Sequence, residues 1–251
     1  MDAGGWAERN LQPRVLRSRL FLEGMQRLGL QVANVSSREL MLGPQILRTF
    51  ADSLGIQMVS ANILSHGKPL FHRYVVVPVH AGGRDLRVGV TGITVSMSLA
   101  EQGWPPSEQL EVRDPLLCAI EVLPELQSKS DVQVLLAYLP ATDLDGQTAP
   151  LHGYEVLVCG TGDLRDPPKV GSETPVVVAS GVKAKYFAWV ALQVSGANHA
   201  QVVDGRVQEL DTKVPDDPEG AKLVQELKAR LGPSARAAAT APSTPATPPG
   251  S

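Results

Sequence analysis

Three short stretches of this 251-residue chain carry polar side chains at the ends of apolar runs, where chemistry could be done. The first is "NVSSREL". A buried-looking run ending at Val35 gives way to Ser36, Ser37, Arg38 and Glu39: hydroxyls, a guanidinium and a carboxylate in a compact polar loop. The second is Tyr138, a phenol at the end of "VQVLLAYLP". The third is "CGTGD", in which Gly160, Thr161, Gly162 and Asp163 follow another apolar run. Polar loops at the C-terminal ends of strands are where α/β proteins bind ligands. The guanidinium of Arg38 with the glycine-rich loop Gly160, Thr161 and Gly162 would suit a small anion. Asp163 reads as a ligand for a lone cation or, more simply, as a solvated loop residue. Arg38 and Glu39 also admit a plainer reading, a salt bridge that fills space, and Tyr138 a plain packing role.

Other candidates are weaker. Lys183 and Lys185 in "GVKAKY" offer positive charge but read as surface lysines, and Asp131 reads as a turn residue between a helix and a strand. The five histidines, His66, His72, His80, His152 and His199, fall at none of the three stretches and read as loop or surface residues. Cys118 and Cys159 form no metal-binding spacing and lie in apolar runs, as buried free thiols do.

The elements that must position these groups alternate between strand and helix. Strands are predicted over Val32–Val35, Ile56–Val59, Tyr74–Val79, Leu86–Thr91, Val132–Tyr138, Glu155–Cys159, Pro175–Ser180 and Phe187–Val194, from β-branched runs bounded by turn residues. Helices are predicted over Val15–Leu28, Gln45–Leu54, Pro115–Lys129 and Pro218–Leu231, the last ending at Gly232. Pro124 is a kink position in the third. A turn-rich insertion, Glu101–Pro106, joins two halves of one domain over residues 1–232. Residues 233–251, rich in Pro, Ala, Ser and Thr, read as a disordered tail or linker. The fold class is α/β, with mixed sheets flanked by helices.

Hydrophobic residues make up 43% of the chain and charged residues 20%, as in ordinary globular domains. A net charge of −3 argues against a binder of nucleic-acid polymers. The longest apolar run is far below the ~18 residues of a membrane span, and "MDAGGWAERN" has no secretory h-region.

The order of segments resembles the calcineurin-like metallophosphoesterases, in particular their 5'-nucleotidase branch. "VSANILSHGKPLFHRYVVV", "LRVGVTGIT", "VRDPLLCAIEVLPEL" with "SDVQVLLAYLP", and "YEVLVCGTGD" with "TPVVVASGVKAKYFAWVALQV" carry the resemblance in sequence order. It implies a layered sandwich of mixed sheets and a catalytic centre of two divalent ions (Mn, Zn or Fe) that activates a water against phosphate esters. On this resemblance the opening "MDAGGWA" places Gly5 where a bridging Asp belongs. Ser37 stands for the ligand Asn, Arg38 for the catalytic His, and Glu39 keeps the family's Glu. Tyr138 replaces a strand-end His, and Thr161 and Asp163 replace the histidines of the last motif. The family's first motif and strand have no counterpart, which implies an open sheet edge or a cleft in the core.

The resulting expectation is a degenerate phosphoesterase domain without cofactor, acting as a binding or structural module on an unknown protein or a small anion. The alternative is an active metal-dependent hydrolase of nucleotides or other phosphate esters. The compartment reads as cytoplasmic for the chain as given, and as periplasmic or exported if a further N-terminal segment precedes it.

Overall fold

The computed structural model describes residues 1–8, 11–95, 109–144, 149–161, 166, 171, 175–179, 185–196 and 199–240. The insertion Glu101–Pro106, Gly162, Asp163, Lys183 and residues 241–251 of the expected tail lie outside the described residues.

The main sheet has five strands: β5 (Tyr74–Ala81), β6 (Arg84–Thr94), β8 (Val132–Pro140), β9 (Val156–Thr161) and β10 (Val176–Val178), in the order β10-β9-β8-β6-β5. All neighbours are parallel except the hairpin β5–β6. That hairpin turns on Gly82 and Gly83, both at positive φ (59° and 74°), the conformation a two-residue turn between twisted strands requires. Helix α4 (Pro115–Lys129) makes the parallel crossover to β8 and runs unbroken through Pro124. Asp114 caps it, accepting a hydrogen bond from the Leu117 amide at 2.8 Å. Its apolar side, with Cys118, Val122 and Leu126, packs on Leu135 and Leu157 of the sheet. Tyr154 sits fully buried there, its hydroxyl donating to the Ala119 carbonyl at 2.7 Å. Both cysteines are buried and outside any disulfide, as expected.

The opposite face meets a second, smaller sheet of β1 (Val32–Asn34) and β2 (Gln57–Val59), which are parallel. Val32 and Val59 of this pair share one apolar layer with Val77, Val90, Val134 and Leu136. Outside the pair lie α1 (Arg14–Arg27) and α3 (Pro44–Leu54), packed through Leu22, Leu47 and Phe50. Each such side chain taken out of water contributes about 1.5–3 kcal/mol. The antiparallel hairpin β11 (Tyr186–Gly196) and β12 (His199–Glu209) adds Val202 to the inter-sheet layer. A third sheet joins β3 (Ile63–Ser65) to β4 (Lys68–Pro69) and β7 (Leu110–Val112). The expected layered α/β sandwich is therefore what the chain forms.

Four differences from the sequence reading have physical causes. β3, β4 and β7 were not expected; they are two or three residues long, too short to show a period of two. β12 was missed because "HAQVVDGRVQE" is largely polar, and pairing with β11, with Val202 alone of its described side chains buried, holds it extended. The expected loop Ser36–Glu39 is a helical turn, α2 (Ser37–Leu40). Helix α5 starts at Pro218 as expected but runs to Thr240, past the end expected at Gly232.

No described helix is long and apolar enough to cross a membrane. The edge of β1 is partly covered. Asp2 pairs with it in parallel, its amide donating to Val32 O at 3.0 Å and its carbonyl accepting from Asn34 N at 2.9 Å.

Candidate functional site

The candidate site lies at the C-terminal ends of β1, β6, β8 and β9, and the segment Ala3–Trp6 is laid across them. Asn34, fully buried at the end of β1, positions that segment. Its Nδ2 donates to Ala3 O at 2.9 Å and to Ile93 O at 2.8 Å, tying the N-terminal segment to the end of β6. A Cβ at Gly92 would stand 2.2 Å from Asn34 Oδ1, so only glycine admits this asparagine. At the end of β9 the segment passes so close that a Cβ on Gly160 would lie 3.0 Å from Ala3 O.

The next residues converge on Glu39. Ser36 caps α2 in a reciprocal box with Glu39, three residues on. The Glu39 carboxylate is fully buried. It accepts from Ser36 N (2.9 Å), Ala7 N (2.8 Å) and Gly5 N (3.1 Å), and from the Ser36 hydroxyl in a short bond. A buried carboxylate is stable only when its lone pairs are met in this way. Glu39 thus joins the N-terminal segment to the loop after β1. The salt bridge read as the plainer role for Arg38 and Glu39 does not form. Glu39 is taken up by amides and Ser36, and Arg38 Nε is buried without a hydrogen-bond partner among the described residues.

Gly5 and Tyr138 touch. The ring of Tyr138, at the end of β8, lies so close to Gly5 that a Cβ there would stand 2.7 Å from Tyr138 Cε2. Gly5 also has φ +88°, a conformation other residues adopt only with strain. A Cβ on Gly4 would in turn lie 3.1 Å from Ser36 Cβ and 3.4 Å from the same ring. Two widely separated positions of the sequence reading, Gly5 and Tyr138, are thus neighbours, with Glu39 beside them. Ser37 is half-buried on the first turn of α2, and Thr161 is half-buried at the end of β9.

The side chains at the described positions that the resemblance assigns do not make up the ligand set of a binuclear metal centre. Such a centre needs carboxylate, amide or imidazole ligands. Of the positions the resemblance assigns, Gly5 has no side chain, Ser37, Tyr138 and Thr161 offer neutral hydroxyls, and the carboxylate of Glu39 is already held by four donors. Asp163 lies outside the described residues, and the neighbouring Asp2 carboxylate accepts from the Gly4 amide at 2.8 Å. No three described His, Cys, Asp or Glu side chains come together elsewhere. His66, His72, His80 and His152 are exposed, as expected.

Beside Gly5 the surface opens into a cleft of about 440 Å³ between the N-terminal segment, α1 and α5. Arg38 lines it together with Trp6, Phe21 and Leu227, whereas Gly160 and Thr161 do not. Gly162, the remaining residue of the expected anion site, lies outside the described residues. The signal missed in the sequence was the capping box: "SSRE" has the Ser-x-x-Glu spacing that starts a helix and engages the carboxylate. Asp131, read as a turn residue, holds Arg87 through two guanidinium contacts (2.8 and 3.2 Å) and the Arg87 amide (2.8 Å), so its carboxyl is pulled down to about 2.

No protein-family model and no curated protein sequence matches the chain. Solved structures do. A calcineurin-like phosphoesterase, YfkN from Bacillus subtilis, superposes with a TM-score of 0.73 at 16% identity, over 95% of this chain and 84% of that one. The sulfate thiohydrolase SoxB of Thermus thermophilus gives 0.68 at 18% identity, over 91% and 42%. A 5'-nucleotidase precursor from the same species, Thermus thermophilus, gives 0.65 at 23% identity, over 92% and 49%. The chain thus spans less than half the length of the last two. At these identities the likeness is one of fold, and the fold is that of the calcineurin-like phosphoesterases and 5'-nucleotidases.

Proposed function

We propose that this chain, built on the calcineurin-like phosphoesterase fold, is a binding or structural module that does not hydrolyse phosphate esters. One observation carries the reading: the Tyr138 ring lies against Gly5, the position the resemblance assigns to a bridging Asp. A carboxylate there would need both the space the ring fills and a backbone conformation that glycine alone adopts readily. The engagement of Glu39 supports the same reading, because its oxygens hold the N-terminal segment in place instead of facing a ligand.

A metal-activated water needs hard or imidazole donors around it, and the described groups at these positions are too few and too weakly basic. What the arrangement can do is bind. Arg38 lines an open cleft with a buried N–H that no described protein group accepts. Hydrolysis of p-nitrophenyl phosphate, its diester and AMP, with added manganese or zinc, tests the proposal. No metal-dependent turnover is expected; turnover lost on Asp163→Ala would establish the hydrolase reading instead.

A further inference from the structure

The cleft beside the site has a definite chemical character. Its walls are apolar: Trp6, Leu20 and Phe21 face Val224, Leu227 and Leu231 of α5. Its charged lining is Arg17, Arg38 and Lys228 against a single carboxylate, Glu8. Two lining residues, Trp6 and Arg38, carry buried N–H groups (Nε1 and Nε) without a hydrogen-bond partner among the described residues. Buried donors are nearly always satisfied in folded proteins, by protein groups, water or an ion.

The far wall is fixed in place. Helix α5 is clasped to α1 by Arg27 with Glu226 (3.0 Å) and Arg230 with Glu23. Gly24 lets the two helices close, since a Cβ there would meet Leu227 Cδ1 at 2.9 Å. The cleft is therefore formed by packed helices, and its volume of about 440 Å³ is that of a small-molecule site.

We propose that this cleft binds a small carboxylate with an apolar body, the carboxylate paired with Arg38 and the body against Trp6, Phe21 and Leu227. The planar guanidinium fork of Arg38 matches a carboxylate in two parallel hydrogen bonds. The inference rests on the reading of the site as one that binds rather than hydrolyses.

The test is calorimetric titration of the full chain with decanoate and, in parallel, with decanol. Decanoate binds and decanol binds at least ten-fold more weakly. Arg38→Gln weakens decanoate at least ten-fold, and Arg38→Lys, which keeps charge but loses the fork, falls between. Phe21→Ser replaces a side chain that is 50% exposed, so it spares the core and weakens decanoate several-fold. No binding of decanoate, equal binding of decanol, or an affinity unchanged in both Arg38→Gln and Phe21→Ser would overturn the proposal. Metal content of the same preparation tests the underlying reading separately. Metal-free protein that ignores decanoate sinks only this inference, and metal-loaded protein sinks the reading beneath it.

Discussion

The ring of Tyr138 stands 2.7 Å from where a Cβ on Gly5 would be, so the two residues specify each other. One is at the start of the chain and the other at the end of a central strand. Their contact lies at the C-terminal edge of the sheet, the edge at which ligands bind in α/β folds.

Gly5→Ala is expected to destabilise the chain by about 2–4 kcal/mol, combining a strained positive φ with an overpacked contact. In a Tyr138→Ala background the steric part vanishes and the strain stays. The double-mutant cycle by urea unfolding therefore shows a coupling of about 1–3 kcal/mol. Additive effects would mean that the two side chains do not meet.

Glu39→Gln replaces an acceptor of four hydrogen bonds by a group that must turn an NH2 toward N–H donors. A loss of about 3 kcal/mol is expected, against about 1 kcal/mol for the cap change Ser36→Ala. Hydrogen exchange checks the cause: the amides of Gly5 and Ala7 lose protection in Glu39→Gln ahead of those in β8.

Two acidic residues should pull the pH dependence of stability in opposite directions. Arg87 holds the Asp131 carboxyl down to about 2, so its contribution is present above the ordinary value near 3.8 and fades as pH falls toward 2. Asp131→Asn should lower stability at pH 7 and flatten the profile below pH 4. Because Arg87 is 56% exposed, 1 M salt shrinks the difference.

Burial pushes Asp2 up to about 6, with a further upward push from nearby Glu39. The folded state then holds the proton more tightly than the unfolded one, and stability falls as pH rises from about 4 to about 6. Asp2→Asn keeps an oxygen to accept from the Gly4 amide, now 2.8 Å from Asp2 Oδ1, and should remove that fall. Thermal unfolding of both variants from pH 3 to 8 reads the two signs. A profile that Asp2→Asn leaves unchanged would show that this carboxyl titrates normally in the folded chain.

The long elements were legible because their patterns are strong. Val132–Tyr138 reads as an apolar run, and it becomes a strand buried on both faces. Asp114 with Pro115 marks the start of α4 to the residue. The hairpin partner β12 was not legible, since its polar sequence is held by pairing with β11. At the site, the positions of Gly5, Glu39 and Tyr138 could be placed from the resemblance, but their contact could not, because they are far apart in sequence. The use of Glu39 was within reach, as Ser36 and Glu39 have capping-box spacing. The cleft could not be foreseen, because it needs α5 to fold back onto α1 through Gly24 and Leu227.

The most direct measurement is metal content per chain after purification in the presence of manganese and zinc, with phosphoesterase activity assayed on the same sample. The account predicts no stoichiometric divalent metal and no metal-dependent hydrolysis. Two ions per chain with turnover of a phosphate ester would contradict it.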